Sequence, residues 1–71
     1  MTKTELARSI EQAVGSHFIN ISQMAAYMGT GRDYVRANIV NGLEYISTGK
    51  NKMYFVGDVA ERIIKLKDTA S

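Results

Sequence analysis

The chain has 71 residues, of which 45% are hydrophobic and 23% charged, and it contains no cysteine. This size and composition predict one soluble domain over residues 1–71 with a modest core, and they leave little room for a substrate cavity beside that core. The lack of cysteine excludes disulfides and thiolate metal sites, and it favours a reducing, cytoplasmic location. The net charge of +2 suits a polyanionic partner without identifying one.

The first predicted element is a helix over residues 3–14. Thr2 and Glu5 have the spacing of a capping box, in which each side chain accepts a hydrogen bond from a free backbone amide at the helix start. Apolar residues then recur at helical spacing. Gly15 suits the left-handed conformation that ends many helices.

Two shorter helices are predicted next. Asn20 and Gln23 form a second capping box after the extended Phe18-Ile19 pair, so a helix is expected over residues 21–28. Gly29-Thr30-Gly31 predicts a tight turn, and Thr30 or Gly31 can cap a further helix over about residues 32–40. Two short helices joined by a glycine turn form a helix-turn-helix.

A β-hairpin and a last helix follow. Residues 43–47 alternate loosely as a strand, residues 48–52 form a polar tip, and residues 53–56 are rich in β-prone side chains. Gly57 and Asp58 are predicted to open the last helix, because a carboxylate is favourable near the positive helix end. The predicted fold is mainly α with a small β-hairpin, in the order α-α-α-β-β-α of a winged helix-turn-helix.

No catalytic constellation is visible in the sequence. His17 is the only histidine, no cysteine is present to pair with it, and we interpret it as a loop or partly buried residue. Glu61 and Lys65 have the spacing of a helix-stabilising ion pair. We therefore expect a protein that is not an enzyme, with no cofactor, no metal and no membrane-spanning segment.

The third helix carries the features that favour DNA binding. Val35 and Ile39 define its inner face, which turns Asp33, Arg36, Ala37 and Val40 outward and leaves Tyr34 at the flank. Arg32 lies in the first turn, from which a reading helix commonly reaches base edges. The planar fork of arginine suits a guanine edge or a phosphate. Asp33 either accepts a hydrogen bond from cytosine or holds Arg32 or Arg36 in place.

The hairpin tip is the second candidate element. Lys50 and Lys52 flank Asn51, so the lysines can reach phosphates while the asparagine can enter a minor groove. So few basic residues predict few phosphate contacts and a shallow salt dependence. A monomer would then bind weakly, and several copies or a protein partner on the DNA would strengthen binding. The alternative interpretation is that the charged residues of the third helix form an ordinary solvated surface, as the same residues would on an arbitrary helix.

The stretch over residues 19–29 resembles the helix-turn-helix opening of excisionase-like proteins. That opening reads Leu-Thr, two variable positions, Glu-Ala-Ala, two variable positions and Leu-Gly. Other residues that match the family pattern are Val35, Ile39, Gly42, Asp58 and Val59. The resemblance implies the winged helix shared by excisionases and MerR-like regulators, with the second helix of the motif in the major groove and the wing beside it.

Three functions agree with the interpretation of this sequence as a winged helix. The first is an excisionase-like architectural DNA-binding protein from a phage or mobile element, acting with an integrase or recombinase and binding as a cooperative array or homo-oligomer. The second is a transcriptional regulator that uses the same surface on double-stranded DNA. The third is a winged-helix adaptor that binds protein. The candidate DNA-binding residues are Arg32, Asp33, Tyr34, Arg36, Lys50, Asn51 and Lys52.

Overall fold

The computed structural model describes the backbone of residues 2–70 and the side chains of residues 2–67. This part of the chain is mainly helical, with a small three-stranded antiparallel sheet. The third helix begins as α3 and continues as a π-helix, and the stretch 32–39 is called the third helix below. The elements are α1 Lys3–Val14, β1 Phe18–Ile19, α2 Ile21–Met28, α3 Arg32–Tyr34, the π-helix Val35–Ile39, β2 Ile46–Thr48, β3 Asn51–Phe55 and α4 Val56–Ala70.

Both N-terminal helices have the predicted bounds, because local chemistry specifies each end. The Thr2–Glu5 capping box is formed, and the chain leaves α1 through Gly15 at φ 74°. The Asn20–Gln23 box is also formed, with Gln23 N donating to Asn20 Oδ1 at 2.8 Å. Helix α2 ends at Gly29 with φ 69°. The Ser9 and Tyr27 hydroxyls lie 2.8 Å apart and join the two helices.

The third helix differs from the regular α-helix predicted for residues 32–40. Its last part is a π-helix, in which the amide of Val40 donates to the carbonyl of Val35 at 3.1 Å. Asn38 Nδ2 donates to the carbonyl of Tyr34 at 3.1 Å. This side-chain donor competes with the backbone amide of Asn38 for the same carbonyl, which favours the wider turn.

The π-helix corrects the expected direction of one side chain. Val40 was predicted to point outward, but it is only 8% exposed and belongs to the core. The prediction assumed α-helical periodicity. Because the π-helical hydrogen bond joins residues five apart, Val40 returns to the face of Val35. The predicted inner residues Val35 and Ile39 are both fully buried.

The sheet is larger than the predicted hairpin. Its strand order is β1-β3-β2, so Phe18-Ile19 forms a third strand that pairs with β3 instead of an unpaired extended segment. The prediction of strand over residues 43–47 was wrong for 43–45, because the ladder begins at Ile46. The return strand was predicted over residues 53–56, whereas β3 spans Asn51–Phe55. Helix α4 therefore begins at Val56, whose amide donates to the carbonyl of His17 at 3.0 Å.

The hairpin turns more tightly than predicted. Only Gly49 and Lys50 form the turn, whereas Thr48 pairs with Asn51 and Lys52 lies within β3. Gly49 has φ 70°. Every described residue with a positive φ is a glycine, so φ is not positive at Lys50, the second turn residue. A positive φ at the first turn position alone is the type II′ pattern, whose twist matches paired strands and closes the hairpin in two residues.

One core joins the helices to the inner face of the sheet. Helix α1 contributes Leu6 and Ile10 to it, so this helix is part of the packed fold. On the surface, Glu61 of α4 accepts from Lys3 at 3.2 Å and from Lys65 at 3.3 Å. The hydrogen bond from Lys3, followed by that from Lys65, lowers the pKa of Glu61 below its ordinary value. The remaining core residues are Ile19, Met24, Ala25, Val35, Ile39, Val40, Tyr54, Val56, Val59 and Ala60.

Candidate nucleic-acid interface

A polar groove lies where the third helix, the start of α2 and the hairpin tip meet. Its volume is about 150 Å³. Four of the side chains that line it are cationic and none is acidic, so its electrostatic character is positive. We call it the basic groove. Its lining residues are Asn20, Ile21, Ser22, Arg32, Arg36, Lys50, Asn51 and Lys52.

The core holds the two arginines toward this groove. Val35 and Ile39 are buried on the inner side of the third helix. Arg32 and Arg36 are four residues apart, so they share the opposite, solvent-facing side of the helix. Arg32 has no hydrogen-bond or ion-pair partner within residues 2–67, and its guanidinium is available to a ligand.

Asp33 pairs with Arg36 in the unbound protein. Arg36 Nη1 donates to Asp33 Oδ1 at 3.1 Å, and the carboxylate is otherwise fully exposed. An exposed pair of this kind contributes little stability, about 0–1 kcal/mol. Asp33 borders a shallow depression beside the basic groove, together with Gly31, Arg32 and Arg36. Two roles were expected for Asp33, and in the unbound protein its carboxylate has the second of them, which is to hold Arg36 in place.

The hairpin contributes its cations from the tip and from one strand. Lys50 lies in the turn and has no hydrogen-bond or ion-pair partner in the described chain. Lys52 lies in β3, with Nζ 4.8 Å from the centre of the Tyr45 ring. This cation–π contact orients the lysine without neutralising its charge. Tyr45 in turn packs on the buried Tyr54, with 5.8 Å between ring centroids.

The structure brings most of the candidate residues together. Arg32, Arg36, Lys50, Asn51 and Lys52 all line the basic groove, and Asp33 lies beside it. Tyr34 does not line the groove. The residue is 45% exposed, and its backbone carbonyl accepts a hydrogen bond from Asn38.

The contribution of α2 was not predicted from the sequence. Asn20, Ile21 and Ser22 line the basic groove, although Asn20 was expected only to cap the helix. The first turn of α2 has no acidic residue, so its free amides are not neutralised. The available signal was the helix-turn-helix itself, because the first helix of that motif crosses the DNA backbone beside the reading helix.

Arg62 was also missed, and it supports the third helix from α4. Its Nη1 donates to the carbonyls of Ile39 at 3.3 Å and Asn41 at 2.8 Å. Carbonyls at the end of a helix have no backbone donor, and a cation there satisfies them and opposes the partial negative charge. Arg62 therefore fixes the C-terminal end of the helix that carries Arg32 and Arg36.

Within residues 2–67 no three potential metal-ligating side chains lie together. His17 is exposed, and its Nδ1 lies 2.9 Å from Glu11 Oε2. No helix in the described chain has the length and apolar character required to cross a membrane. Comparisons with protein-family models, curated proteins and solved structures found no match to this chain.

Proposed function

We propose that this protein binds double-stranded DNA through the basic groove. The single observation that carries the proposal is that Arg32 and Arg36 line the same groove as Lys50 and Lys52, although the two pairs come from separate elements. On an unrelated helix surface, the arginines would not be expected to converge with a cationic hairpin tip. The absence of an acidic side chain from the lining makes a polyanion the fitting ligand.

The proposed fold is a winged helix, in which the third helix enters the major groove and the β2–β3 hairpin is the wing. Arg32 and Arg36 would contact base edges or phosphates with their planar forks. Lys50 and Lys52 would contact the backbone beside the reading helix, and Asn51 would reach the minor groove. The free amides at the start of α2 would donate hydrogen bonds to a phosphate at the edge of the same site.

The test is fluorescence anisotropy with labelled duplex DNA at roughly 50 and 200 mM salt. Arg36→Ala and Arg32→Ala should each weaken binding to a preferred site by about 1–3 kcal/mol where the arginine contacts a base. Arg8→Ala is the matched control, because Arg8 is exposed on α1 and does not line the groove. Equal binding by wild type, Arg36→Ala and Arg8→Ala would contradict the proposal.

The salt dependence gives a second, independent measurement. If all four cations contacted phosphates, the slope of log affinity against log salt would be about −3.6, and base contacts by the arginines would make it shallower. Lys50→Ala or Lys52→Ala should weaken all sequences alike and reduce the slope by about 1. A markedly steeper slope in the monomer would mean that cations outside the groove dominate binding.

Within DNA binding, we propose the excisionase-like architectural role. Its support is the small number of groove cations, because a weakly bound module gains strength as an array or beside an integrase or recombinase. A transcriptional regulator would use the same residues. DNA bending and integrase-dependent excision in vitro should both occur with wild type and be lost in Arg36→Ala. Operator binding without bending or excision would favour the regulator.

A further inference from the structure

The outer face of the sheet carries a second surface, separate from the basic groove. Phe18 lies opposite Phe55 across β1 and β3, and their rings meet edge to face at 5.8 Å. Ile46 lies opposite Met53 across β2 and β3. Opposed residues point to the same side of a sheet, so these four side chains form one apolar face. Tyr45 extends this face at the margin of the hairpin.

This face is unusually exposed for its composition. Tyr45, Ile46 and Phe55 are 50%, 51% and 47% exposed and surround a depression of about 180 Å³. The fold also holds one ring of the face in place. A Cβ at Gly57 would lie only 2.6 Å from Phe55 Cε2, so the absence of a side chain at Gly57 allows the ring to lie over the start of α4. Clustered, exposed apolar side chains of this kind indicate an interaction site.

The rim of the face has the opposite charge to the basic groove. Glu44 and Asp58 line the same depression, and neither has a hydrogen-bond or ion-pair partner within residues 2–67. We call the apolar face with these two residues the acid-rimmed patch. Two free carboxylates repel the phosphates of nucleic acids and anionic lipids, so the complementary ligand is cationic as well as apolar.

The neighbouring sheet edge indicates the shape of that ligand. Strand β2 is at the edge of the sheet, with β3 on one side and no strand on the other among the described residues. Every second residue of an edge strand turns its backbone N–H and C=O outward, where an added strand can pair with them. An extended peptide added beside β2 would place alternate side chains over the apolar face.

We propose that the acid-rimmed patch binds an extended segment of a partner protein whose alternate positions carry apolar side chains flanked by Lys or Arg, so that the apolar and the cationic side chains all face the patch. The backbone of the segment pairs with the edge of β2, and its apolar side chains cover Ile46 and Phe55. Its cations reach Glu44 and Asp58. The basic groove shares no lining residue with this patch, so one molecule can hold DNA and the partner segment together.

The test uses two capped synthetic peptides and no DNA, so its outcome is independent of the proposed DNA binding. One peptide is Lys-Thr-Val-Thr-Phe-Thr-Lys, in which the lysines, the valine and the phenylalanine share one face of the strand, and the other has glutamate in place of each lysine. We expect the lysine peptide to shift the amide NMR resonances of Tyr45, Ile46 and Phe55. We also expect it to bind at least about ten-fold more tightly than the glutamate peptide.

Substitutions separate the apolar and charged contributions. Phe55→Ser and Ile46→Thr should each weaken the lysine peptide several-fold, whereas Tyr34→Ser should leave it unchanged. Tyr34 is the matched control because it is 45% exposed and lies outside the patch. The double variant Glu44→Gln, Asp58→Asn should bind both peptides equally. It changes only exposed side chains, so the charge test does not depend on the folding of Phe55→Ser.

Three results would overturn the proposal. The first is the absence of shifts at the patch with the lysine peptide up to about 1 mM. The second is equal affinity of the wild-type protein for the two peptides, which would reduce the patch to a non-selective apolar surface. The third is self-association of the free protein that Ile46→Thr abolishes, because a second copy would then occupy the patch.

Discussion

The basic groove and the acid-rimmed patch lie on the same hairpin but differ in every property that decides a partner. Alternation along β3 separates them: Lys52 and Tyr54 point to one side, and Met53 and Phe55 to the other. The groove is polar and positively charged, whereas the patch is apolar with a negative rim. A strand whose period is two residues can therefore present two chemistries within a few residues.

The two surfaces also differ in how firmly their side chains are held. In the patch, Phe55 packs against Phe18 and lies over Gly57. In the groove, Arg32 and Lys50 have no contact of this kind within the described chain. Long cations that remain free lose rotamer entropy when they bind, which lowers affinity but lets them adapt to a flexible polyanion. Fixed rings suit a shaped apolar ligand instead.

The largest expected effect on both surfaces comes from truncating Tyr54, the buried side chain beneath the hairpin that they share. Tyr54 is buried under the hairpin and lies opposite Ile19 across the sheet. Tyr54→Ala should cost about 3–5 kcal/mol of unfolding free energy by analogy with other buried aromatic truncations. For a domain of this size, Tm should fall by about 12 °C or more. The measurement is thermal unfolding followed by circular dichroism.

The control is Tyr54→Phe, which keeps the ring in the core and against Tyr45. It should retain both DNA binding and lysine-peptide binding. If Tyr54→Ala lost one activity and kept the other at full strength, the two surfaces would not depend on a common hairpin, and the comparison would fail.

Locally specified features were the ones predicted correctly from the sequence. The bounds of α1 and α2 follow from capping boxes and terminal glycines within a few residues of each helix end. The π-helix could not be predicted in this way, because it depends on whether Asn38 uses its side chain or its backbone amide toward Tyr34. The burial of Val40 follows from that choice.

Features that depend on distant residues were also missed. The pairing of Phe18 with Phe55 joins positions far apart in the sequence, and neither segment alone indicates it. The candidate arginines and lysines were identified by residue type and motif, and the groove that collects them required the tertiary structure. The acid-rimmed patch left only a weak signal, the exposed alternation of apolar residues in a short strand.

A second, smaller perturbation should separate the two surfaces. Arg62→Met removes the donor to the carbonyls of Ile39 and Asn41 but keeps an apolar stem. A hydrogen bond from a charged donor is worth about 1.5–3 kcal/mol, so the end of the third helix should loosen by a comparable amount. DNA affinity should fall while lysine-peptide affinity is unchanged. Hydrogen exchange at the amides of Val40 and Leu43 should accelerate.

Lys67→Met is the matched control for this change. It removes one positive charge from the exposed surface of the same helix, so it reproduces any long-range loss of attraction to DNA. Equal DNA affinity in Arg62→Met and Lys67→Met, with unchanged exchange at Val40, would show that Arg62 acts only through its charge.

The smallest expected effect lies at Tyr45, which lines the acid-rimmed patch and contacts Lys52 of the basic groove. Its ring holds Lys52 at 4.8 Å and also lines the acid-rimmed patch. Tyr45→Leu removes the cation–π contact, worth about 0.5–1 kcal/mol at an exposed site, and Tyr45→Phe keeps it. If the ring holds Lys52 ready for a phosphate, Tyr45→Leu should weaken DNA binding by roughly two- to five-fold in anisotropy. Tighter DNA binding would mean that the ring competes with phosphate for the lysine, and that the two faces of the hairpin oppose each other.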